Sequence, residues 1–333
     1  MADKKNILTS DLNRKRLVRI QAKTNPNYGK KPEELSIKEL LNNCFINLNK
    51  PKGPTSHQVD SWLKEILLNK KIGHSGTLDP NATGVLPIGV GDAVKALQFL
   101  LISGKEYVGF MSLHKKVDKK KIINVCKSFI GDITQIPPLR SAVKRVKRKR
   151  KIFYFDITEI KDRDVLFRVG CQSGTYIRTL CVDIGKKLGC GAHLVELHRT
   201  RVGHINDEDS VFLQDVKDAM VFFKEEKDEK SIRKILQPVE NMLSHLPKIV
   251  IRDSAVDALC HGADLAIPGV VEVDSDIKKD DVVLVITLKN EGVAIVKAKM
   301  QTEEIIQKDK GVCANLERVL MKKGTYPSIW KKS

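Results

Sequence analysis

This sequence has few aromatic residues, no long apolar runs and no paired cysteines. No stretch of the 333 residues approaches the roughly 18 consecutive apolar residues of a membrane-spanning helix, so the sequence predicts no spanning segment. The N-terminus is basic but lacks the apolar core and cleavage site of a secretion signal, and an intracellular location is expected. The seven cysteines form an odd set without a CxxC pair, which argues against a disulfide framework or a zinc ribbon and favours buried or idle thiols.

Acidic residues are also in deficit. The chain has 59 Lys and Arg against 41 Asp and Glu, and its net charge is +18. Its hydrophobic content of 41% is ordinary for a globular protein, so the basic charge belongs to a chain that can bury a core. Such an excess of positive charge points to a polyanionic partner. The length predicts a large unit with a smaller module.

Local patterns along the chain predict an α+β fold. Apolar residues at helical spacing predict an amphipathic helix over residues 58–69, with Ser56 as its N-cap and Trp62 on its buried face. Residues 105–113 form a predicted strand, and residues 153–160 and 164–171 a predicted hairpin. The next helix, within 174–189, is expected to end at a glycine. Strands mixed with helices without strict alternation are typical of α+β proteins.

Glycine and proline, which favour turns and loops, separate the predicted elements in the rest of the chain. Residues 71–91 hold many of them and are predicted to form a long functional loop. A helix is expected around 232–243. After residue 248 short strands with one short helix, at 253–260, predict a β-barrel-like module. We therefore divide the chain into three parts, a basic arm packing on the C-terminal module (1–43), a catalytic-sized unit (44–247) and the small module (248–333).

Four residues in glycine-bracketed segments could carry chemistry. Asp79 precedes a proline in the loop at 71–91, where an aspartate more often bonds its own turn. Arg178, near a helix start, could hold a carboxylate in a bidentate pair or form an ordinary surface ion pair. Tyr107 and Tyr176 are either core residues or aromatic faces of a pocket. Together they suit a pocket that stacks a nucleobase and attacks its sugar or ring.

A dense basic run supports a nucleic-acid partner. Residues 144–151 place seven cations in eight positions, which indicates either a solvated loop or contact with phosphates, and the net charge favours phosphates without choosing between RNA and DNA. His57 and His74 have no partner at metal-ligand spacing, so no metal site is predicted. The glycines match neither a phosphate-binding loop nor a dinucleotide fingerprint, which argues against a nucleotide cofactor.

Seven segments in unbroken order carry a family resemblance. They read NLNKPKGPTSHQV, GHSGTLDPNATGVLPIGVG, GKEYV, PPLRSAVKR, GTYIRTL, GAHLVELHRTR and DSAVDALCHGADLAIPG. From about residue 20 to the C-terminus the chain resembles the dyskerin-type, archaeal form of the H/ACA ribonucleoprotein pseudouridine synthases, within the tRNA pseudouridine synthase B superfamily. The resemblance implies an α+β catalytic domain with a mixed, mainly antiparallel sheet, and a PUA RNA-binding domain from near residue 248.

The resemblance also assigns roles to residues. It implies that Asp79 is the nucleophile, that Tyr107 stacks on the target uracil and that Arg178 pairs with Asp79. It places His74, Tyr176 and Leu197 around the substrate. The RNA contacts that it implies are Arg140, Lys144, Arg145, Lys147 and Arg148 in the basic loop and His261, Gly262 and Gly269 in the PUA domain.

The family context implies partners and leaves two alternatives. The implied partners are a guide RNA, a substrate rRNA or tRNA, and the Nop-type, Gar-type and kink-turn-binding proteins of the particle, with no membrane. No cofactor is implied. A chain without a long lysine-rich tail is expected in a prokaryote-type cytoplasm, or in the nucleolus of a eukaryote. A stand-alone tRNA pseudouridine synthase and a non-enzymatic RNA-binding scaffold are the alternatives.

Departures from the family pattern fall outside these residues. His198 stands where the family usually has arginine, and the basic LHKKV segment at 113–117 replaces a more usual acidic, glycine-containing turn. These differences affect neighbouring RNA or protein contacts and leave the predicted chemistry unchanged.

Overall fold

The computed structural model describes residues 14–137 and 144–328 and contains two sheets flanked by helices. The strands are β1 (Arg16–Val18), β2 (Asn43–Lys50), β3 (Ile72–His74), β4 (Thr83–Gly91), β5 (Lys105–Leu113), β6 (Gly131–Gln135), β7 (Arg148–Lys161), β8 (Asp164–Cys171), β9 (Ala192–Val202), β10 (Ile205–Asn206), β11 (Gln237–Pro238), β12 (Lys248–Ile251), β13 (Leu265–Ala266), β14 (Val270–Asp274), β15 (Val282–Thr287), β16 (Gly292–Ala298) and β17 (Val312–Val319). The α-helices are α1 (Ile37–Leu40), α2 (Ser56–Leu67), α3 (Leu97–Leu101), α4 (Lys119–Lys127), α5 (Ile177–Leu188), α6 (Leu213–Glu225), α7 (Glu229–Ile235), α8 (Val239–Met242), α9 (Asp253–Cys260) and α10 (Thr302–Gln307).

The larger sheet is mixed and mainly antiparallel, which confirms the predicted fold class. Its main path runs β11-β2-β4-β9-β5-β8-β7-β6, with β3 beside β4 and β10 beside β9. Only the β4–β9 pairing in this sheet is parallel among the described residues. Along β5 buried and partly exposed side chains alternate strictly, as the period of a strand requires, and α4 and α5 cover the buried face.

Several local predictions are confirmed. The hairpin forms from β7 and β8, and α5 ends at Gly189, whose φ of +76° is the left-handed conformation of a helix C-cap. Helix α2 also forms, but its N-cap is Thr55, whose hydroxyl accepts from the backbone N–H of Gln58. The prediction for Trp62 was wrong, because this side chain is 42% exposed, at the margin of the helix's apolar face.

The predicted loop at 71–91 was wrong over much of its length. Residues 83–91 form β4, which pairs with β2 on one side and contacts β3 and β9 on the other. The glycines there serve close packing: Gly84 has a φ of +104°, and a Cβ at that position would collide with the backbone of Arg199 in β9. The turn composition that predicted a loop therefore marks a tightly packed strand.

Two further predictions need correction. The helix expected at 232–243 is two short helices, α7 and α8, because β11 with Pro238 interrupts it. The single short helix expected in the C-terminal module, α9, is accompanied by a second, α10, whose six residues are too few to show a helical period.

The C-terminal module has its own sheet, ordered β1-β14-β12-β15-β16-β17-β13. Strand β1 of the N-terminal arm joins this sheet, and Leu17 pairs with Val273 of β14. Apolar side chains from both units also share one core cluster, in which Phe45 and Val85 of the larger sheet pack with Val250 and Ile295 of the smaller one. The two units are therefore joined by a continuous core.

A pair of histidines lies near this junction. The rings of His204 and His245 stack with centroids 5.4 Å apart, and His245 lies three residues before β12 of the C-terminal module. Burial, together with the neighbouring His204, lowers the pKa of His245 from 6.5 to about 4. The folded protein therefore holds this ring neutral at pH values where the unfolded chain protonates it.

We expect His245 to make the fold sensitive to mild acid. Between pH 6.5 and 4 the unfolded chain binds the proton more tightly, so stability falls by about 2 to 3 kcal/mol as the pH drops through that window. The free energy of unfolding is measured in urea at pH 7 and at pH 4.5. His245→Phe should lose the part of the stability difference between these two pH values that His245 causes. His193→Phe, which changes an exposed histidine elsewhere, should keep the wild-type difference. Equal pH dependence in all three proteins would contradict the assignment.

Candidate active site

Asp79 lies between β3 and β4, in residues 75–82, which we call the Asp79 segment. Its carboxylate faces solvent. Its side chain is 48% exposed. Arg178, in the first turn of α5, holds this carboxylate with a two-point contact: Nε lies 3.0 Å from Oδ2 and Nη2 lies 3.3 Å from Oδ1. A bidentate guanidinium fixes the plane of a carboxylate and the direction in which its oxygens point. The predicted Asp79–Arg178 pair is therefore present in the structure.

A buried lysine braces the backbone on both sides of Asp79. Lys50, the last residue of β2, is fully buried, and its Nζ donates to the carbonyl oxygens of Pro51, Pro80 and Ala82 at 2.7, 3.2 and 2.9 Å. Burial lowers the pKa of this ammonium, while the negative charge of Asp79 acts in the opposite direction. Lys50 thereby ties the Asp-Pro turn to the central sheet.

A second buried cation joins the start of the same segment to β4. Arg199 of β9 is only 1% exposed, and it donates from Nε to Val85 O at 2.7 Å and from Nη2 to Gly76 O at 3.0 Å. Its guanidinium also lies near the hydroxyl of Tyr107, its cross-strand neighbour on β5, and each group shifts the pKa of the other. One planar group therefore links the start of the Asp79 segment to β4 and lies beside the tyrosine of the predicted site.

Tyr107 is enclosed beside Asp79. Its ring belongs to the core cluster beneath the sheet, together with Leu78 and Ala82 from the Asp79 segment. Burial raises the pKa of the Tyr107 hydroxyl, and the nearby Arg199 acts in the opposite direction. The hydroxyl is thus held protonated beside the guanidinium of Arg199.

The structure places Tyr176 and Leu197 at the margins of this group. Tyr176 is the N-cap residue of α5, two residues before Arg178, and its backbone is held by two hydrogen bonds to the side chain of Gln135. Leu197 packs against the cluster that contains Tyr107. It also lines a cavity of 160 Å³ together with Asn81 and Thr83, which follow Asp79 in the chain.

His74 ends β3 at the start of the Asp79 segment. Its Nδ1 lies 2.7 Å from Oδ2 of Asp60 on α2, and its Nε2 lies 3.3 Å from Oγ1 of Thr77. Because a carboxylate only accepts, Nδ1 carries the proton and Nε2 accepts from the threonine. Asp60 therefore fixes the orientation of the imidazole that the sequence placed near the substrate strand.

His198, the departure from the family pattern, is part of a hydrogen-bonded chain. Its Nε2 donates to Oδ2 of Asp207 at 3.0 Å, and its Nδ1 accepts from the hydroxyl of Thr83 at 2.7 Å. Thr83 begins β4, four residues after Asp79. The histidine thus anchors the far end of the Asp79 segment.

The predicted RNA-binding residues of the basic loop are mostly exposed. Arg140 lies outside the described residues. Lys144 and Lys147 are exposed, Arg145 donates to Pro137 O, and Arg148 begins β7 and contacts Lys144 O. These cations therefore lie at the beginning of a strand of the larger sheet.

The predicted RNA-binding residues of the C-terminal module differ in exposure. His261 is exposed and its Nδ1 lies 2.9 Å from Asp257 O, while Gly262, with a φ of +99°, faces open space. Gly269 is buried, and a Cβ there would press on the side chain of Ala255. Helix packing is thus a structural reason for glycine at 269, whereas His261 and Gly262 are accessible to a ligand.

Sequence reasoning missed three residues that hold this site. They are Lys50, Arg199 and Ser56, whose buried hydroxyl accepts from Leu78 N at 3.0 Å beside Asp79. Lys50 and Arg199 have a weak signal in the sequence, because lysine and arginine are usually exposed. Within the segments that the structure describes, no helix is long and apolar enough to cross a membrane.

Comparisons with known proteins place this geometry in a family. Residues 64–177 match the N-terminal domain of the TruB family pseudouridylate synthases, and residues 178–244 match the C-terminal domain of tRNA pseudouridylate synthase B. Residues 247–320 match the PUA domain, and residues 6–60 match the DKCLD domain. The Asp79 segment and Tyr107 thus lie in the N-terminal synthase domain, while Arg178 is the first residue of the next match.

Whole-chain relatives agree with the domain matches. A probable tRNA pseudouridine synthase B of Methanopyrus kandleri is 52% identical over 98% of this chain and 97% of its own length. A chain of a Cbf5-Nop10-Gar1 complex superimposes with a TM-score of 0.93 and 49% identity, covering 97% of this chain and 99% of that one.

A further structural relative is a chain of an H/ACA RNP bound to a substrate RNA containing 2′-deoxyuridine. It has a TM-score of 0.92 and 46% identity, and the alignment covers 97% of this chain and all of that one. The domain matches and these relatives, at this identity and coverage, establish that the chain belongs to the TruB family of RNA pseudouridine synthases, isomerases that convert uridine to pseudouridine, and that it carries DKCLD and PUA domains.

Proposed function

We propose that this chain is the catalytic subunit of an H/ACA ribonucleoprotein and isomerises uridines that a guide RNA selects in rRNA. The observation that carries the proposal is the match over nearly the whole chain to structures of such particles, with the DKCLD and PUA domains included. The net charge of +18 supports binding to two RNA strands, a guide and a substrate. Nop-type and Gar-type proteins are the proposed protein partners, with a kink-turn-binding protein completing the particle.

In the proposed mechanism Asp79 is the nucleophile. The reaction breaks the bond between the ribose C1′ and N1 of uracil, turns the base and joins C1′ to C5, and the proton on C5 passes to N1. Whether the carboxylate attacks C1′, takes a proton from the sugar or adds to the ring, each route requires one ionised carboxylate against a flipped-out base. The half-exposed Asp79 carboxylate, oriented by Arg178, fits that requirement.

The surrounding residues are assigned to holding the base and the strand. Tyr107, whose hydroxyl lies beside Arg199, stacks on the target uracil, and Tyr176 and Leu197 border the pocket. His74, oriented by Asp60, contacts the substrate strand beside Asp79. Lys50 and Arg199 are positioning residues, because they touch the backbone of the catalytic segment and leave the carboxylate free for substrate.

The function is tested by conversion of one target uridine. The full chain is assembled with its partner proteins and a guide RNA complementary to a short substrate, and pseudouridine is measured by nuclease digestion and chromatography. We expect conversion with the matched guide and none with a guide whose pairing segment is scrambled. Equal conversion with both guides would overturn guide dependence.

A stand-alone activity on tRNA is the second candidate, because relatives such as the Methanopyrus kandleri protein are named as probable tRNA synthases. The same assay with bare tRNA, without guide or partners, distinguishes the two activities. Conversion of tRNA alone would identify a stand-alone enzyme. Absence of conversion under every condition would favour a non-enzymatic RNA-binding scaffold.

We expect Lys144 and Lys147 to contribute directly to RNA affinity. Both are exposed in the basic segment before β7, so each can neutralise a phosphate. In RNA binding at increasing salt, the double variant Lys144→Gln, Lys147→Gln should reduce the slope of log affinity against log salt by about 1.5. The variant Lys119→Gln, Lys120→Gln makes the same change of charge at the start of α4 and should keep the wild-type slope. Equal slopes in all three proteins would show that these two lysines do not contact RNA phosphates.

A further inference from the structure

A group of three potential metal ligands lies beside the Asp79 segment, and one of them, His57, has no role in the proposed reaction. His57 and Asp60 occupy one face of the first turn of α2, three residues apart, and His74 ends the neighbouring strand β3. One ligand atom from each residue lies within 4.8 Å of the other two. The two imidazole rings meet edge to face at 5.1 Å.

The buried carboxylate of this group lacks a full set of partners. The Asp60 side chain is 9% exposed, and its Oδ2 lies 2.7 Å from Nδ1 of His74 and 4.0 Å from Nδ1 of His57. Its other oxygen, Oδ1, is buried without a hydrogen-bond partner among the described residues. In that part of the chain no lysine or arginine forms an ion pair with it. A buried carboxylate in this state is costly unless a cation compensates it.

We propose that His57, Asp60 and His74 form a binding site for a zinc ion. Two imidazoles and one carboxylate are typical zinc ligands, and imidazole disfavours magnesium and calcium. At tetrahedral zinc, ligand atoms lie about 3.3 Å apart, as bond lengths near 2.0–2.1 Å require. The ion therefore replaces the proton shared by His74 and Asp60, and the exposed His57 ring turns inward to complete three protein ligands. Water takes the fourth position.

The proposed ion joins two elements that precede the catalytic carboxylate. His74 is five residues before Asp79, and α2 begins just after the segment at 51–55 that adjoins Pro80. A bound zinc thereby fixes the start of the Asp79 segment to the helix more firmly than one hydrogen bond does. When zinc binds at Nδ1, the ring proton of His74 moves to Nε2, from where it can donate to Oγ1 of Thr77.

The site is tested by direct metal binding, independently of pseudouridine formation. The full chain is stripped with a chelator, dialysed and titrated with Zn²⁺ in competition with a chromophoric chelator. We expect one equivalent of saturable Zn²⁺ and, with Co²⁺, the intense visible absorption of a tetrahedral site. Absence of a saturable equivalent in the wild-type protein would overturn the proposal.

Variants locate the ion. His57→Ala changes a side chain that is 83% exposed and makes no core contact, so the fold is preserved, and it should weaken Zn²⁺ binding at least about 100-fold. Asp60→Asn keeps the shape of the buried side chain and should weaken binding similarly. His193→Ala, which breaks the exposed His114–His193 pair on another part of the surface, is the matched control and should bind as wild type does. Equal affinity in wild type, His57→Ala and Asp60→Asn would place the ion elsewhere and reject the site.

Discussion

Asp79→Asn should abolish pseudouridine formation, with a loss on the order of 10⁴-fold or more. The amide has the shape of the carboxylate but cannot act as an anionic nucleophile or as a base. The side chain is half exposed and its pairing with Arg178 is on the surface, so the free energy of unfolding should change by less than about 1 kcal/mol. RNA affinity should also stay close to the wild-type value, because no phosphate contact is removed. The measurement is single-turnover conversion of the guide-paired uridine.

A matched control separates this effect from a general loss of negative charge. Asp162 lies in the β7–β8 turn with a φ of +54°, a conformation that asparagine tolerates, and pairs only with the exposed Lys116 in the described structure. Asp162→Asn should keep the full rate. If Asp79→Asn retained a rate within tenfold of the wild-type enzyme, Asp79 would not be the nucleophile.

Arg199→Lys should cost both stability and rate. The planar guanidinium donates to Val85 O and Gly76 O from two different nitrogens and lies beside the Tyr107 hydroxyl, whereas a lysine ammonium cannot serve both carbonyls in the same way. At least one buried acceptor then loses a charge-assisted donor, and the free energy of unfolding should fall by about 2 to 4 kcal/mol. Because the Asp79 segment and Tyr107 lose a common anchor, conversion should slow by about 100-fold. Urea unfolding and single-turnover kinetics measure the two effects.

The kinetic pattern identifies Arg199 as a positioning residue. The maximal rate should fall while KM stays near its wild-type value, because the buried guanidinium does not contact RNA. The same change at the exposed Arg168, on β8 of the same sheet, should leave stability and rate unchanged. Wild-type rates in Arg199→Lys protein that is folded would show that the Asp79 segment does not depend on this anchor.

Local sequence determined the elements whose residues contact their own neighbours in the chain. The alternation in residues 105–113 specified β5, and the apolar spacing after residue 176 with Gly189 at its end specified α5. The motif around Asp79 and the segment GTYIRTL were sufficient to nominate the Asp79–Arg178 pair, whose members are 99 residues apart. That nomination rested on resemblance to a family, since spacing alone favoured an ordinary turn aspartate.

Tertiary structure decided the features that depend on distant segments meeting. The glycine-rich segment at 83–91 is a central strand because β2 and β9 pack closely against it. Lys50 and Arg199 are buried because the carbonyls of the Asp79 segment supply acceptors for their charges, and a linear sequence does not show where those carbonyls fold.

The histidine group illustrates the same division. Spacing along the chain predicted no metal ligands, because His74 is 14 residues from Asp60 and on a different element. Packing of α2 on β3 brings Asp60 and His74 together, and His57 lies about one helical turn before Asp60 on α2. The sequence by itself determined the α+β class, the basic surface and the catalytic motif. Only the folded chain decided which buried charges hold that motif in place, because such contacts are made between residues far apart in sequence.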